Sequence, residues 1–328
     1  MTLTRSLFLT VACALPLSVA ACGGSDDKPS PDAAVVVPND AKHYGYVVSE
    51  ATLSSTATLD FGSDKSNKPD GTPENLLGGT LSTLVGFGFP IQATITEAVD
   101  TGAILMLADL QTTDFTNAAA AGLSLKIGTN PQPPACNGDT DSVCRHHLDG
   151  TAMFGLDSTA PTNPPVTGPI VNGTFNAGAG PLALQIALGS TEPVTLNLVN
   201  ARVKATAISS TNMTAIIGGQ LLAQDLNDNI LPAIHAQITP IIVRDCQGTQ
   251  TPPGCGCTGT GLSLITVFDG KGGSPADCAI SLDEVKNNST LKALLKPDVC
   301  SSTSCTAADA LSLSVNVTAV KATFPGLE

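Results

Sequence analysis

Leu182-Ala183-Leu184-Gln185-Ile186-Ala187-Leu188 carries a large apolar residue at every second position. Successive side chains of an extended chain point to opposite faces, so these four share one face of a sheet. Leu311, Leu313, Val315 and Val317 repeat the period and alternate strictly with Ser312, Ser314, Asn316 and Thr318, which predicts a half-buried final strand. Leu123, Leu125 and Ile127 alternate in the same way. Strands are also expected within 44–61, 103–110, 151–156, 170–175, 194–208 and 213–217, and Leu262, Leu264 and Val267 suggest another.

Helical spacing interrupts this pattern in four places. Pro73 to Val85 places Leu76, Leu77, Leu81 and Leu84 on one face, and Pro90 to Val99 spaces Ile91, Ile95 and Val99 by four, with Gly102 as its stop. Leu222, Leu226, Ile230, Ile234, Ile238 and Ile242 also sit four apart, with Pro232 predicting a kink or break. Ser281 to Leu295 reads as one helix opened by a capping box of Ser281 and Glu284. The fold class is therefore α+β, mainly β: antiparallel sheets, with a sandwich as one arrangement, and a few inserted helices. One globular domain is expected over 43–328, and the proline-rich stretch 159–169 is its candidate sub-boundary.

The cysteines place those sheets in an oxidising compartment. Of ten, Cys13 and Cys22 lie near the start, leaving Cys136, Cys144, Cys246, Cys255, Cys257, Cys278, Cys300 and Cys305 as four expected disulfides. Proximity favours Cys136–Cys144 and Cys300–Cys305, with Cys278 joined to one of Cys246, Cys255 or Cys257.

Residues 1–21 have the parts of an export signal: Arg5, an apolar run from Leu7 to Val19, and the small pair Ala20-Ala21. The run is shorter than the roughly 20 apolar residues of a membrane span. Val19-Ala20-Ala21-Cys22 resembles the lipobox of bacterial lipoproteins. The resemblance implies a diacylglyceryl group on the Cys22 sulfur, cleavage before Cys22 and acylation of the new amino group, so that the membrane is reached through a lipid anchor. Gly23 after the cysteine, by the sorting rule of diderm bacteria, implies the outer membrane, facing the periplasm or the cell surface. Residues 22–42 are polar and rich in Gly and Pro at their start, the composition of a flexible linker. The general layout beyond it resembles predicted lipoproteins of diderm genomes, which brings no activity with it.

A net charge of −13 argues against nucleic acid, whose phosphates need a basic surface. Aromatic residues are scarce, with no Trp and two Tyr, which lowers the expectation of a sugar platform without removing it. Residue types in this sequence bear on three chemistries. A calcium site at Asp269, Asp277, Asp283 and Glu284 has the end of an EF-hand loop, but Cys278 stands at its glycine position; a capped helix start is the plainer reading. Cys136, Cys144, His146 and His147 are residue types that suit zinc, yet export favours the disulfide. Neither Gly-x-Ser-x-Gly nor His-Glu-x-x-His occurs, so a hydrolase would need an unrecognised site and no catalytic residue is assigned. The expected function is a non-catalytic binding or structural envelope protein with a protein or glycan partner and no cofactor; a calcium-stabilised domain and a hydrolase are the alternatives.

Overall fold

The computed structural model describes residues 36–327 apart from 87, 139, 189–192 and 249–250. The expected export signal at 1–21 and the expected lipidation site Cys22 lie outside the described residues. The nine strands are β1 (Lys42–Leu53), β2 (Met106–Thr112), β3 (Ala118–Gln132), β4 (Met153–Leu156), β5 (Val166–Val171), β6 (Thr174–Ile186), β7 (Val194–Thr206), β8 (Asn212–Leu222) and β9 (Ala310–Lys321). They follow the order β2-β1-β9-β8-β7-β6-β5-β3-β4, and β2 also pairs with β3. That last ladder, Met106↔Ile127 to Gln111↔Gly122, closes an eight-stranded antiparallel barrel, with β4 added outside on the far end of β3. The sandwich arrangement is thereby corrected. The cause is the 15-residue length of β3, which pairs with β5 at its start, β2 along its middle and β4 at its end. Irregular register at Val48/Glu50, Ala118/Ala121 and Ala177/Gly180 supplies the bends that let the sheet curl.

Alternation fills the barrel. Tyr46, Leu110, Leu123, Phe175, Leu182, Leu198, Ile217 and Leu313 are all buried in one continuous core. Eight strands enclose a space just wide enough for such side chains. The helices extend that core at one mouth. α1 (Leu76–Gly86) and α2 (Ile91–Asp100) connect β1 to β2. The β8–β9 connection holds α3 (Ala223–Asp225), a π-helical turn (Leu226–Ile230), α4 (Leu231–Asp245), α5 (Gly259–Phe268), α6 (Leu282–Asn287) and α7 (Ser289–Leu294). Leu81, Ile95, Ile234 and Ile238 join the barrel core. The space left between Leu53, Ile95, Met106, Ile186 and Val315 is about 10 Å³, room for at most one water. The described residues enclose no ligand chamber there.

The opposite mouth has only short connections. β2 meets β3 through 113–117, β7 meets β8 through 207–211, and β5 turns into β6 at Asn172-Gly173. Both turn residues have positive φ, 50° and 75°, the geometry that a tight antiparallel hairpin needs and that Asn and Gly tolerate. This turn divides the single strand expected over 170–175 between β5 and β6. The proline-rich 159–169 stretch leads directly into β5, which pairs with β3 on one side and β6 on the other.

Ser312 and Ser314 were expected to face solvent and are instead fully buried. A strap, residues 54–75, crosses the outside of β7–β9. Phe61 is buried over Gly218, where a Cβ would lie 2.9 Å from the Phe61 ring. Asn75 accepts the Ser314 N–H, and the Ser312 hydroxyl accepts the Leu76 N–H. Asn200 and Gln220 donate to the Phe61 carbonyl from the strands beneath.

Two further expectations change. The 262–267 segment is α5, not strand: Gly261, Leu264, Ile265 and Phe268 are buried at helical spacing. The helix over 281–295 is two, broken where Asn288 turns extended and accepts the Leu291 N–H as the cap of α7. The interruption expected at Pro232 in the 222–242 helix is the π-helical turn Leu226–Ile230, after which Pro232 stands in the first turn of α4. The disulfides are Cys136–Cys144, Cys246–Cys257, Cys255–Cys278 and Cys300–Cys305.

Candidate functional site

The helix-bearing mouth also carries a surface cleft, built by the loop that leaves β3. Residues 133–149 double back, with Cys136 and Cys144 bridged across it. The N–H groups of Arg145 and His146 both donate to the Ala135 carbonyl, which closes the loop on itself. Arg145 takes φ 109° and starts a 3-10 turn, His146–Leu148. Its guanidinium pairs with Asp100 at the end of α2 and donates to the Ser49 carbonyl of β1, which pins the loop to the barrel. The resulting cleft, about 350 Å³, is lined by Pro133, Asn137, Val143, Cys144, Arg145, His146 and Asp149. That size falls at the lower end of small-molecule pockets and also fits one or two side chains of a protein partner.

His146 is the versatile group in this cleft. Its Nε2 lies 3.0 Å from both Asp141 Oδ2 and Asn137 Nδ2. A protonated Nε2 donates to Asp141; an unprotonated one accepts from Asn137. Asp141 is held by the N–H groups of Asn137 and Val143, and these bonds, with His146 beside it, keep its carboxyl below the usual carboxylate range. Asp149 accepts from the backbone and hydroxyl of Thr151, which lowers its pKa too. The cleft thus offers an imidazole, a guanidinium and carboxylates, but Cys144 is bound in a disulfide. Among the described residues no hydroxyl or thiol is hydrogen-bonded to His146.

The residues read for calcium gather in part. Asp269 accepts the N–H groups of Asp277 and Cys278; Glu284 accepts those of Gly270 and Ser281 and the Ser281 hydroxyl. Asp277 accepts the Ala279 N–H, and Asp283 is exposed on α6. These oxygens cap α6 and brace the Cys255–Cys278 bridge. A cation there would have to replace those backbone donors.

Two constellations escaped the sequence. His43 Nδ1 lies 3.0 Å from each oxygen of the buried Asp109, on the outside of β1 and β2. Strand register brings them together across 66 positions of sequence, and no short motif announces it. The second is in the strap. Asp60 accepts the Gly62 and Gly71 N–H groups, and Glu74 accepts that of Phe61 at 2.7 Å. Burial pushes the Glu74 carboxyl up to about 7, with Asp60, Asp70 and Asp298 adding to the rise against the Phe61 bond. Arg202 faces Asp60 and Glu74, and burial lowers its pKa.

No protein-family model, curated protein or solved structure matches this chain.

Proposed function

We propose that this chain is an outer-membrane-anchored envelope lipoprotein whose barrel is a non-catalytic binding module, presenting its helix-bearing mouth and the 133–149 cleft to a protein or glycan partner. The single observation that carries the reading is the division of labour between the two barrel mouths. Among the described residues every helix and the cleft loop emerge at one mouth, whereas the other has only short connections. β1 starts at the plain mouth, since Lys42 pairs with Thr112 at the far end of β2. With β1 entered from the plain mouth, the elaborated mouth is taken as the contact face.

The filled barrel supports a scaffold rather than a carrier of lipophilic cargo, since the space under the helices is about 10 Å³. The four disulfides suit the oxidising envelope. Several acyl chains hold such an anchor firmly, at about 0.8 kcal/mol for each buried methylene.

Metabolic labelling with a fatty acid tests the anchor. Wild-type protein is expected to take up label and sediment with membranes, and Cys22→Ser is expected to do neither. Equal labelling of both, or of neither, overturns the reading.

A further inference from the structure

His147 sits in the root of the cleft loop and has no role in the cleft itself. Its side chain is completely buried, 0 % exposed, and neither ring nitrogen has a hydrogen-bond partner. The Val99 carbonyl faces the ring without completing a bond. Phe154 of β4 meets the ring edge-on, at 6.3 Å between centroids. A neutral imidazole already leaves two polar atoms unsatisfied there. An imidazolium would add a buried charge whose nearest acceptor is the Val99 carbonyl, and that contact favours protonation less than burial opposes it. The charged groups that act on it are Arg145 and His146 of its own loop, which oppose protonation, and Asp100 at the end of α2, which favours it. Asp100 is already engaged by the Arg145 guanidinium.

We infer that His147 makes the 133–149 loop an acid-released latch: neutral, it lets the loop dock on the barrel and form the cleft; protonated, it expels the loop root and dismantles the cleft. The loop is built for such release. Beyond the Cys136–Cys144 bridge, which ties it only to itself, it is held to the barrel by Arg145 through Asp100 and Ser49 and by the packing of its 3-10 turn. Neither restraint crosses the barrel wall covalently, so the loop can leave while the sheet stays closed. The neutral form is the one that the folded state selects, and burial lowers the His147 pKa from its ordinary 6.5. The docked loop therefore loses stability as pH falls below that ordinary value, and the loss is complete only below the lowered one. His146 differs: it is two-fifths exposed, and its Nε2 has Asp141 and Asn137 within hydrogen-bond distance.

Hydrogen exchange on the full-length protein in detergent micelles, at about pH 7.5 and about pH 5, tests this. After correction for intrinsic exchange, the Gly102 and Ile104 amides at the end of α2, with Gly102 covered by His147 and Ala135 of the docked loop, are expected to lose about tenfold or more of their protection at the lower pH, while β8 and β9 keep theirs. His147→Phe is expected to hold the loop docked at both pH values, and His146→Gln to release like wild type. Unchanged protection in wild type overturns the latch, as does release that persists in His147→Phe. If His147→Phe does not fold, the same comparison is made with His147→Leu; the wild-type result alone can still refute the inference.

Discussion

Glu74 links the strap to pH. Its carboxyl titrates at about 7 in the folded chain against an ordinary 4.5, so between those values the folded state binds the proton more tightly than the unfolded one. The stability from this group is fully present below 4.5 and is lost as pH rises through about 7. Urea melts should accordingly show Glu74→Gln more stable than wild type at pH 8, by on the order of 1 kcal/mol after allowing for the partial exposure of the group, and the two nearly equal at pH 5. A wild-type advantage at pH 8 would mean that the ionised carboxylate and its bond to Phe61 hold the strap. Deeper in, Phe175 is fully buried inside the barrel, and Phe175→Ala should cost about 3–5 kcal/mol in the same melts.

At the scale of elements, caps and bridges decide what the helical insertions can do alone. Asn288 accepts the Leu291 N–H and donates to the Val267 carbonyl, so it caps α7 and ties α5 to it. Asn288→Ala should cost about 1–2 kcal/mol and loosen both helices, which circular dichroism melts would show. Joint replacement of Cys255 and Cys278 by Ala should cost about 2–5 kcal/mol, because that bridge ties the start of the α5 segment to the loop before α6. What the sequence showed about elements followed from how local the cause was. The capping box at Ser281 and Glu284 is read within four residues, and it is there. The alternation of β9 was visible, but the burial of Ser312 and Ser314 was not, because the strap that covers them lies more than 230 positions away. Leu262 and Leu264 mimicked a strand because a two-residue spacing also occurs by chance along a helix; the buried set, Gly261, Leu264, Ile265 and Phe268, shows the true period.

Across the whole molecule, sheet closure is the feature that sequence could not separate from a sandwich, since both bury every second residue of each strand. The difference lies in the pairing of β2 with β3, a contact between strands whose residues carry no mark of their second neighbour. The candidate site was legible only as residue types: Cys136 and Cys144 pair as proximity suggested, but the cleft around His146 depends on Asp100 and Ser49, which the fold brings from α2 and β1. Three of the four carboxylates read for calcium, Asp269, Asp277 and Glu284, are engaged with backbone N–H groups, so a thermal melt of the full chain should be the same in EDTA and in excess calcium. A ligand at roughly 100 times its Kd would add about 2.7 kcal/mol, so a clear upward shift would restore the calcium-stabilised alternative.

The central claim, that the helix-bearing mouth rather than the plain one meets the partner, is tested most directly by photocrosslinking in cells that make the protein. A photoreactive residue is placed at Leu262 on α5, exposed at the helical mouth, or at Val171 beside the plain-mouth hairpin, also exposed. The account predicts a discrete adduct from position 262 and none from 171. Adducts from 171 alone, or equally from both, would contradict it.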